Sequence, residues 1–450
     1  AESVYDGRGN AVEQDISIQT AQLTGANELP AAAMTADGKI DMTAAKLQVF
    51  DESERQHISN SAFNAKGNPG KTVTTVASFA DGKWSMESQK TVLSKYDGRG
   101  NARVQDVTVQ VATLVGNNLP EAKMVGGKLD MKALPGFENS EKQHIVNSGF
   151  NAKGNPTKTV TTSAMFSKDK GWQLDSEKTV ISSYDGRGNA RVQDVTIRLA
   201  TLVGGDLPGI AQDADGNIDM TKVPALEDSE KQHIENTGFT AKGNPLKSVT
   251  TSATYDGKTW RLDSEKMVVS KYDGRGNAIK QDITTKVGVL DKDGVSPEVK
   301  LDGTTGNMVM PAAALLLDSE KQHIENSDFT AKGNPKKSVT TSAINIGGKW
   351  YADSERTVIS TYDGRGNALT QDISTKVGKL VAGTDNLEEV TLDADKNIQI
   401  NAVNAAKFEE SERQHVENTG FTAKGNPIVS VTTSASYIDG KWLMESKKTV

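Results

Sequence analysis

Five histidines, His57, His144, His233, His323 and His415, are the only ones in this 450-residue chain, and they share one setting. Gln precedes each, Ile or Val follows, and a Glu lies three residues upstream, as Glu230 does before His233. A histidine titrates near neutrality, so a neighbouring carboxylate invites acid–base or metal chemistry. The spacing argues against it. On extended backbone, residues three apart point to opposite faces, so Glu230 and His233 do not converge. No second histidine is near any of them, and cysteine is absent, which excludes disulfides and thiolate metal sites. A site needs a converging constellation. Five copies of one His setting read instead as a packing or hydrogen-bonding element, and no enzyme is expected.

The aspartates Asp6, Asp97, Asp185, Asp273 and Asp363 each open the string Asp-Gly-Arg-Gly-Asn. Carboxylates beside flexible glycines could hold calcium, but the alternating oxygen ligands and distal Glu of an EF-hand loop are missing. A hairpin turn explains the string without an ion, so no cofactor is expected. Serine-led triplets such as Ser176-Glu177-Lys178 and Ser229-Glu230-Lys231 are predicted to pair across strands and set register. Threonine pairs (Thr74-Thr75, Thr161-Thr162, Thr250-Thr251) suit a half-solvated sheet.

These motifs recur because the chain is a tandem repeat. Tyr-Asp-Gly-Arg-Gly-Asn-Ala begins at Tyr5, Tyr96, Tyr184, Tyr272 and Tyr362, with spacings of 91, 88, 88 and 90 residues. Ala-Lys-Gly-Asn-Pro begins at Ala65, Ala152, Ala241, Ala331 and Ala423, and each of the five tryptophans falls once per unit. The units run over residues 1–90, 91–178, 179–266, 267–356 and 357–450. Each unit is also a degenerate double, with an aromatic followed by a Gly-Asn turn in both halves. Between the halves lies a variable insert, such as Thr201 to Leu226, read as a tolerant loop.

The repeated segments alternate in a way that predicts strands, some with bulges. Hairpin turns are placed at Gly7, Gly9 and Asn10; Gly98, Gly100 and Asn101; Gly186, Gly188 and Asn189; Gly274, Gly276 and Asn277; and Gly364, Gly366 and Asn367. Gly186 or Gly188 must supply a positive φ. Pro245 should start a strand, because it has no N–H for the ladder. Trp260 to Tyr272 reads as one long strand. The expected fold is all-β, a continuous array of antiparallel hairpins; a string of immunoglobulin-like sandwiches is the alternative at this unit size.

The Tyr-Asp-Gly-Arg-Gly-Asn strings resemble the YD repeats of RHS-type bacterial surface and toxin-shell proteins. The unit here is longer, and its inserts have no counterpart in that family. The resemblance implies a β-hairpin array in a secreted bacterial protein and carries over no catalytic residue.

Composition narrows the function. The formal charge is −7, from 52 Lys plus Arg against 59 Asp plus Glu, so there is no basic excess for nucleic acid. No apolar run approaches the roughly 20 residues of a membrane helix. The absence of cysteine, the abundance of Thr, Ser and Asn, and the alanine at position 1 point to an extracellular or cell-surface protein. The first unit holds Ala1, Val4 and Tyr5 of a strand whose other half appears at Lys448, Thr449 and Val450. These halves predict head-to-tail self-assembly into a filament by strand addition, or a longer covalent array. The alternative is an adhesin or carbohydrate-binding stalk that uses the inserts. The inserts hold Phe50, Phe137 and Phe408 but neither Trp nor Tyr for sugar stacking.

Overall fold

The computed structural model describes residues 2–21, 50–80, 82–115, 119–330, 333–362, 367–384, 386–421, 427–438 and 441–449. Of the sequence-predicted positions, Ala1, Gly364, Gly366 and Val450 lie outside these, as does Asp363.

Four kinds of strand alternate along the sheet, and each is named here for its marker residue. In the centre of the chain they are the histidine strand Leu226–Phe239, the threonine strand Pro245–Tyr255, the tryptophan strand Trp260–Tyr272 and the aspartate strand Ala278–Gly288. β-branched residues fill the strands, and prolines start the threonine strands at Pro69, Pro156, Pro245, Pro335 and Pro427. Apart from a separate small hairpin, Met124–Val125 with Lys128–Leu129, the described strands pair antiparallel in chain order, giving one open sheet of 21 strands from Glu2–Tyr5 to Lys441–Thr449. The sheet runs without interruption through all the unit boundaries, which overturns the sandwich alternative.

One rim of the sheet is a row of tight turns. In the Asp185 turn, Gly188 N donates to Asp185 O at 3.0 Å and Asp185 N to Asn189 O at 2.9 Å. That is a type I turn closed by a glycine bulge. Gly188 takes φ +89°, while Gly186 keeps an ordinary backbone. Gly9, Gly100 and Gly276 repeat this, and Gly67, Gly154, Gly243 and Gly333 do the same in the second motif. Asp185 Oδ1 accepts from Arg187 N and Asn189 N, and Oδ2 accepts from Asn189 Nδ2. These bonds hold the carboxyl below the usual carboxylate range, with the Asn189 backbone amide contributing most. Neighbouring turns are hooked together: Asn155 Nδ2 donates to Gly188 O, and Lys153 Nζ to Arg187 O.

The serine triplets behave differently from their sequence reading. Ser229 is the extra residue of a bulge, since Ile197 faces Glu230 and Arg198 faces Asp228. Asp175, just before Ser176, is bulged likewise. The triplets therefore kink the ladder as well as pairing across it, as Glu265 does with Lys286 at 2.8 Å. The threonines also depart from expectation. Thr75, Thr162 and Thr251 are fully buried rather than half-solvated.

The reason is a cover over one face of the sheet, made by the insert residues 113–115, 119–136, 201–225, 289–315, 379–384 and 386–407. Read from the sequence as tolerant loops, they supply core instead. Ile210 and Ile218 pack with Ala164, Trp172, Leu174 and Ala200. Val299 and Met308 pack with Ala253, Trp260 and Leu262. Val390 and Ile398 pack with Ala343, Trp350 and Ala352. A sheet rich in Thr, Ser and charge has little apolar surface of its own, and these segments supply apolar cover for it. Ile210 N to Trp172 O (3.0 Å) and Leu174 N to Pro208 O (2.9 Å) tie an insert to the sheet. The short helical pieces are Ala313–Leu315 and Ala402–Ala405. No described helix is long and apolar enough to cross a membrane.

Candidate assembly site

Each histidine stands directly opposite an aspartate 38–43 residues earlier in the chain. Nδ1 of His57, His144, His233, His323 and His415 donates to Oδ1 of Asp15, Asp106, Asp194, Asp282 and Asp372 at 2.6–2.9 Å. The strand on the other side presents a threonine in register, Thr251 beside His233 and Thr162 beside His144. Such a row could suggest nucleophilic chemistry. In three units, however, the second imidazole nitrogen contacts a carboxylate on the same strand: Glu235, Glu325 and Glu417, at 3.2–3.3 Å. Thr162 Oγ1 and Thr251 Oγ1 are buried and partnerless, so no base reaches them. No group of three potential metal ligands occurs among the described residues. The pair acts as a cross-strand lock.

Its surroundings separate one unit from the rest. An insert from the following unit reaches back over each of the first four pairs. Lys128 Nζ lies 3.2 Å from Asp15 Oδ2. The segment 213–221 lines a cavity with Asp106 and His144, and Asn307 Nδ2 donates to Asp194 Oδ2 at 3.0 Å. The Asp15 carboxyl pays desolvation but still sits below its usual range, because His57 and Lys128 bond to it. Beside each pair a cation lies over a tryptophan ring, as Lys142 does over Trp172 at 4.6 Å. Burial under the insert pushes the Lys142, Lys231 and Lys321 ammonium groups down. Side-chain exposure of the first four histidines is 2–15%.

The fifth pair is open, with His415 43% and Asp372 64% exposed. It borders a groove of about 530 Å³ that also reaches Ile373, Arg413, Thr433 and Ala435. The hydrogen bond to Asp372 raises the His415 pKa above its ordinary value, with partial burial opposing and Glu417 assisting. A pKa raised by folding means that the pair's stabilisation is complete below the ordinary histidine value. It fades as pH rises through the raised one. In an NMR titration, His415 is expected to titrate above 6.5, and Asp372→Asn to bring it back down. A wild-type His415 titrating at or below that ordinary value would contradict the geometry.

The first and last described strands lie at the two edges of the sheet. Glu2–Tyr5 pairs only with Ala11 to Asp15, so the outer edge of Ile16 to Thr20 has no strand partner among the described residues. At the other end, Lys441–Thr449 pairs only inward, with Val431 to Ile438. Val4 and Tyr5 are exposed. The equivalent tyrosines Tyr96, Tyr184, Tyr272 and Tyr362 donate their hydroxyls to the carbonyls of Pro69, Pro156, Pro245 and Pro335. Sequence reading singled out the histidines as a packing or hydrogen-bonding element. It missed the aspartate partners, whose only signal was a Gln-Asp pair that recurs in every unit.

No family model matches the chain, and no curated protein matches it. Among solved structures, a protein of unknown function from Bacteroides fragilis aligns at 8% identity over 40% of this chain and 91% of its own length, with a TM-score of 0.22. A porin-like protein from Bacteroides uniformis aligns at 7% identity over 69% of this chain and 95% of its own, with a TM-score of 0.12. At these scores the similarity carries no functional argument.

Proposed function

We propose that this protein is a non-enzymatic structural subunit that joins head to tail by strand addition and builds an extracellular or cell-surface fibre. One observation carries the reading: the two unpaired sheet edges match each other in register. Within the chain, Ser88, Gln89, Lys90 and Thr91 face Val111, Gln110, Val109 and Thr108. Ser446, Lys447, Lys448 and Thr449 have the sequence position of the first set, and Thr20, Gln19, Ile18 and Ser17 that of the second. Docking Ser446–Thr449 of one copy beside Ser17–Thr20 of the next continues the ladder with the same bulges and gives Tyr5 the proline carbonyl of the neighbouring threonine strand. Open edge N–H and C=O groups favour such pairing. The contact is heterologous, so it propagates unless its rotation closes a ring.

The YD-like strings and the cysteine-free composition support a location outside the cell, which fractionation of source cells tests. Electron microscopy with intact mass tests the assembly. Fibres built from 48.1 kDa subunits are expected. A much larger intact mass would mean that the same joint is covalent. A monodisperse 48.1 kDa monomer at high concentration would defeat the proposal.

A further inference from the structure

We infer that the open groove of the fifth unit is the seat for the first insert of a second copy of this chain, engaging it through Lys39 and Ile40. The inference rests on the head-to-tail reading and adds a second, side-chain joint to it.

The occupant is defined by the four grooves already filled. Each is covered by one short segment of the next insert, and those segments correspond in sequence: Gly127-Lys128-Leu129-Asp130-Met131, Gly216-Asn217-Ile218-Asp219-Met220, Gly306-Asn307-Met308-Val309-Met310 and Lys396-Asn397-Ile398-Gln399-Ile400. Their third residue is the buried plug. Leu129, Ile218, Met308 and Ile398 are all under 9% exposed and pack in clusters with Ala77, Ala164, Ala253 and Ala343. In two of them the second residue contacts the aspartate of the Asp–His pair: Lys128 meets Asp15, and Asn307 meets Asp194.

The first insert carries the same string, Gly38-Lys39-Ile40-Asp41-Met42. Those residues lie outside the described part, and the correspondence is one of sequence. The fifth unit offers every counterpart: Asp372 and His415 exposed, Ala435 on the groove wall, and Trp442 with Arg413 over its ring at 4.6 Å. Lys39 is complementary in charge to Asp372. The strand joint also sets the second copy's Ala11–Ala21 strand beside Lys441–Thr449. An insert that covers a unit leaves the sheet from this same position elsewhere in the array.

Because the chain has no cysteine, paired substitutions report the two joints separately. Ile40→Cys with Ala435→Cys reports the groove, and Ile18→Cys with Lys448→Cys reports the strand edge. Ile218→Cys with Ala164→Cys, neighbours in one cluster, sets the rate for a seated insert. Under mild oxidation the groove pair is expected to give dimers and a ladder on a non-reducing gel at a rate near that of the in-chain pair. Adding Lys39→Glu should slow only the groove pair, on the order of tenfold, as a carboxylate meets Asp372. A ladder from the strand pair with none from the groove pair would overturn the inference and leave head-to-tail assembly standing. A groove ladder without a strand ladder would keep the inference and remove strand addition. No ladder from either pair would sink both. A fast-running monomer from the groove pair, with a chain closed on itself, would overturn the assignment to a second copy.

Discussion

Replacing Leu174 with alanine is expected to destabilise its unit by about 2–5 kcal/mol, the cost of removing a buried leucine and leaving a cavity. Leu174 is fully buried between Ala164, Trp172 and the insert residues Ile210 and Ile218. Its loss takes away the contact that pins the insert to the sheet. Denaturant unfolding measures the total, and amide exchange locates it. The Ile210 amide, which donates to Trp172 O, should exchange faster, while the covered grooves two units away keep their protection. Leu199→Ala is the control. That side chain is 48% exposed, so the change should stay within about 0.5 kcal/mol. Equal effects at Leu174 and Leu199 would mean that the inserts are decoration and the sheet stands without them.

Replacing Gly188 with valine is expected to cost about 1–3 kcal/mol, the range for a side chain forced into a disfavoured backbone region. Gly188 has φ +89°, and a Cβ there would stand 3.1 Å from Asn155 Nδ2 and 3.2 Å from Lys153 Cδ. The substitution thus strains its own turn and disturbs the hook from the neighbouring one. Gly186→Val should be close to neutral. Gly186 has an ordinary φ and open space around it, and the matching position in the second motif is Ala152. Unfolding midpoints for the two variants separate the cases. If both tolerate valine, or if Gly186→Val is the worse, the turn assignment fails.

Strain is distributed unevenly along the same array. Just before the second-motif aromatic, Gly149 and Gly238 take φ near +60°, while Ala62 and Asp328 hold φ +55° with side chains attached. The repeats are therefore similar in architecture without being equal in local stability.

Most of the local structure was legible in the residues alone. The repeat period showed five units. Two-residue alternation with β-branched side chains showed strands, and Gly-Asn strings placed the turns. Prolines marked where strands begin. These follow from backbone preferences of adjacent residues, which need no knowledge of distant ones. Tertiary structure alone decided three things. It chose Gly188 over Gly186 for the left-handed position, because hydrogen bonds at Asp185 set where the type I turn ends. It paired each histidine with an aspartate across an insert, a partnership of strand register that spacing along the chain does not encode. And it laid each described insert over the strands that precede it, turning segments of loop-like composition into the core. A polar sheet must find apolar cover, and the nearest source is the one that the next repeat supplies.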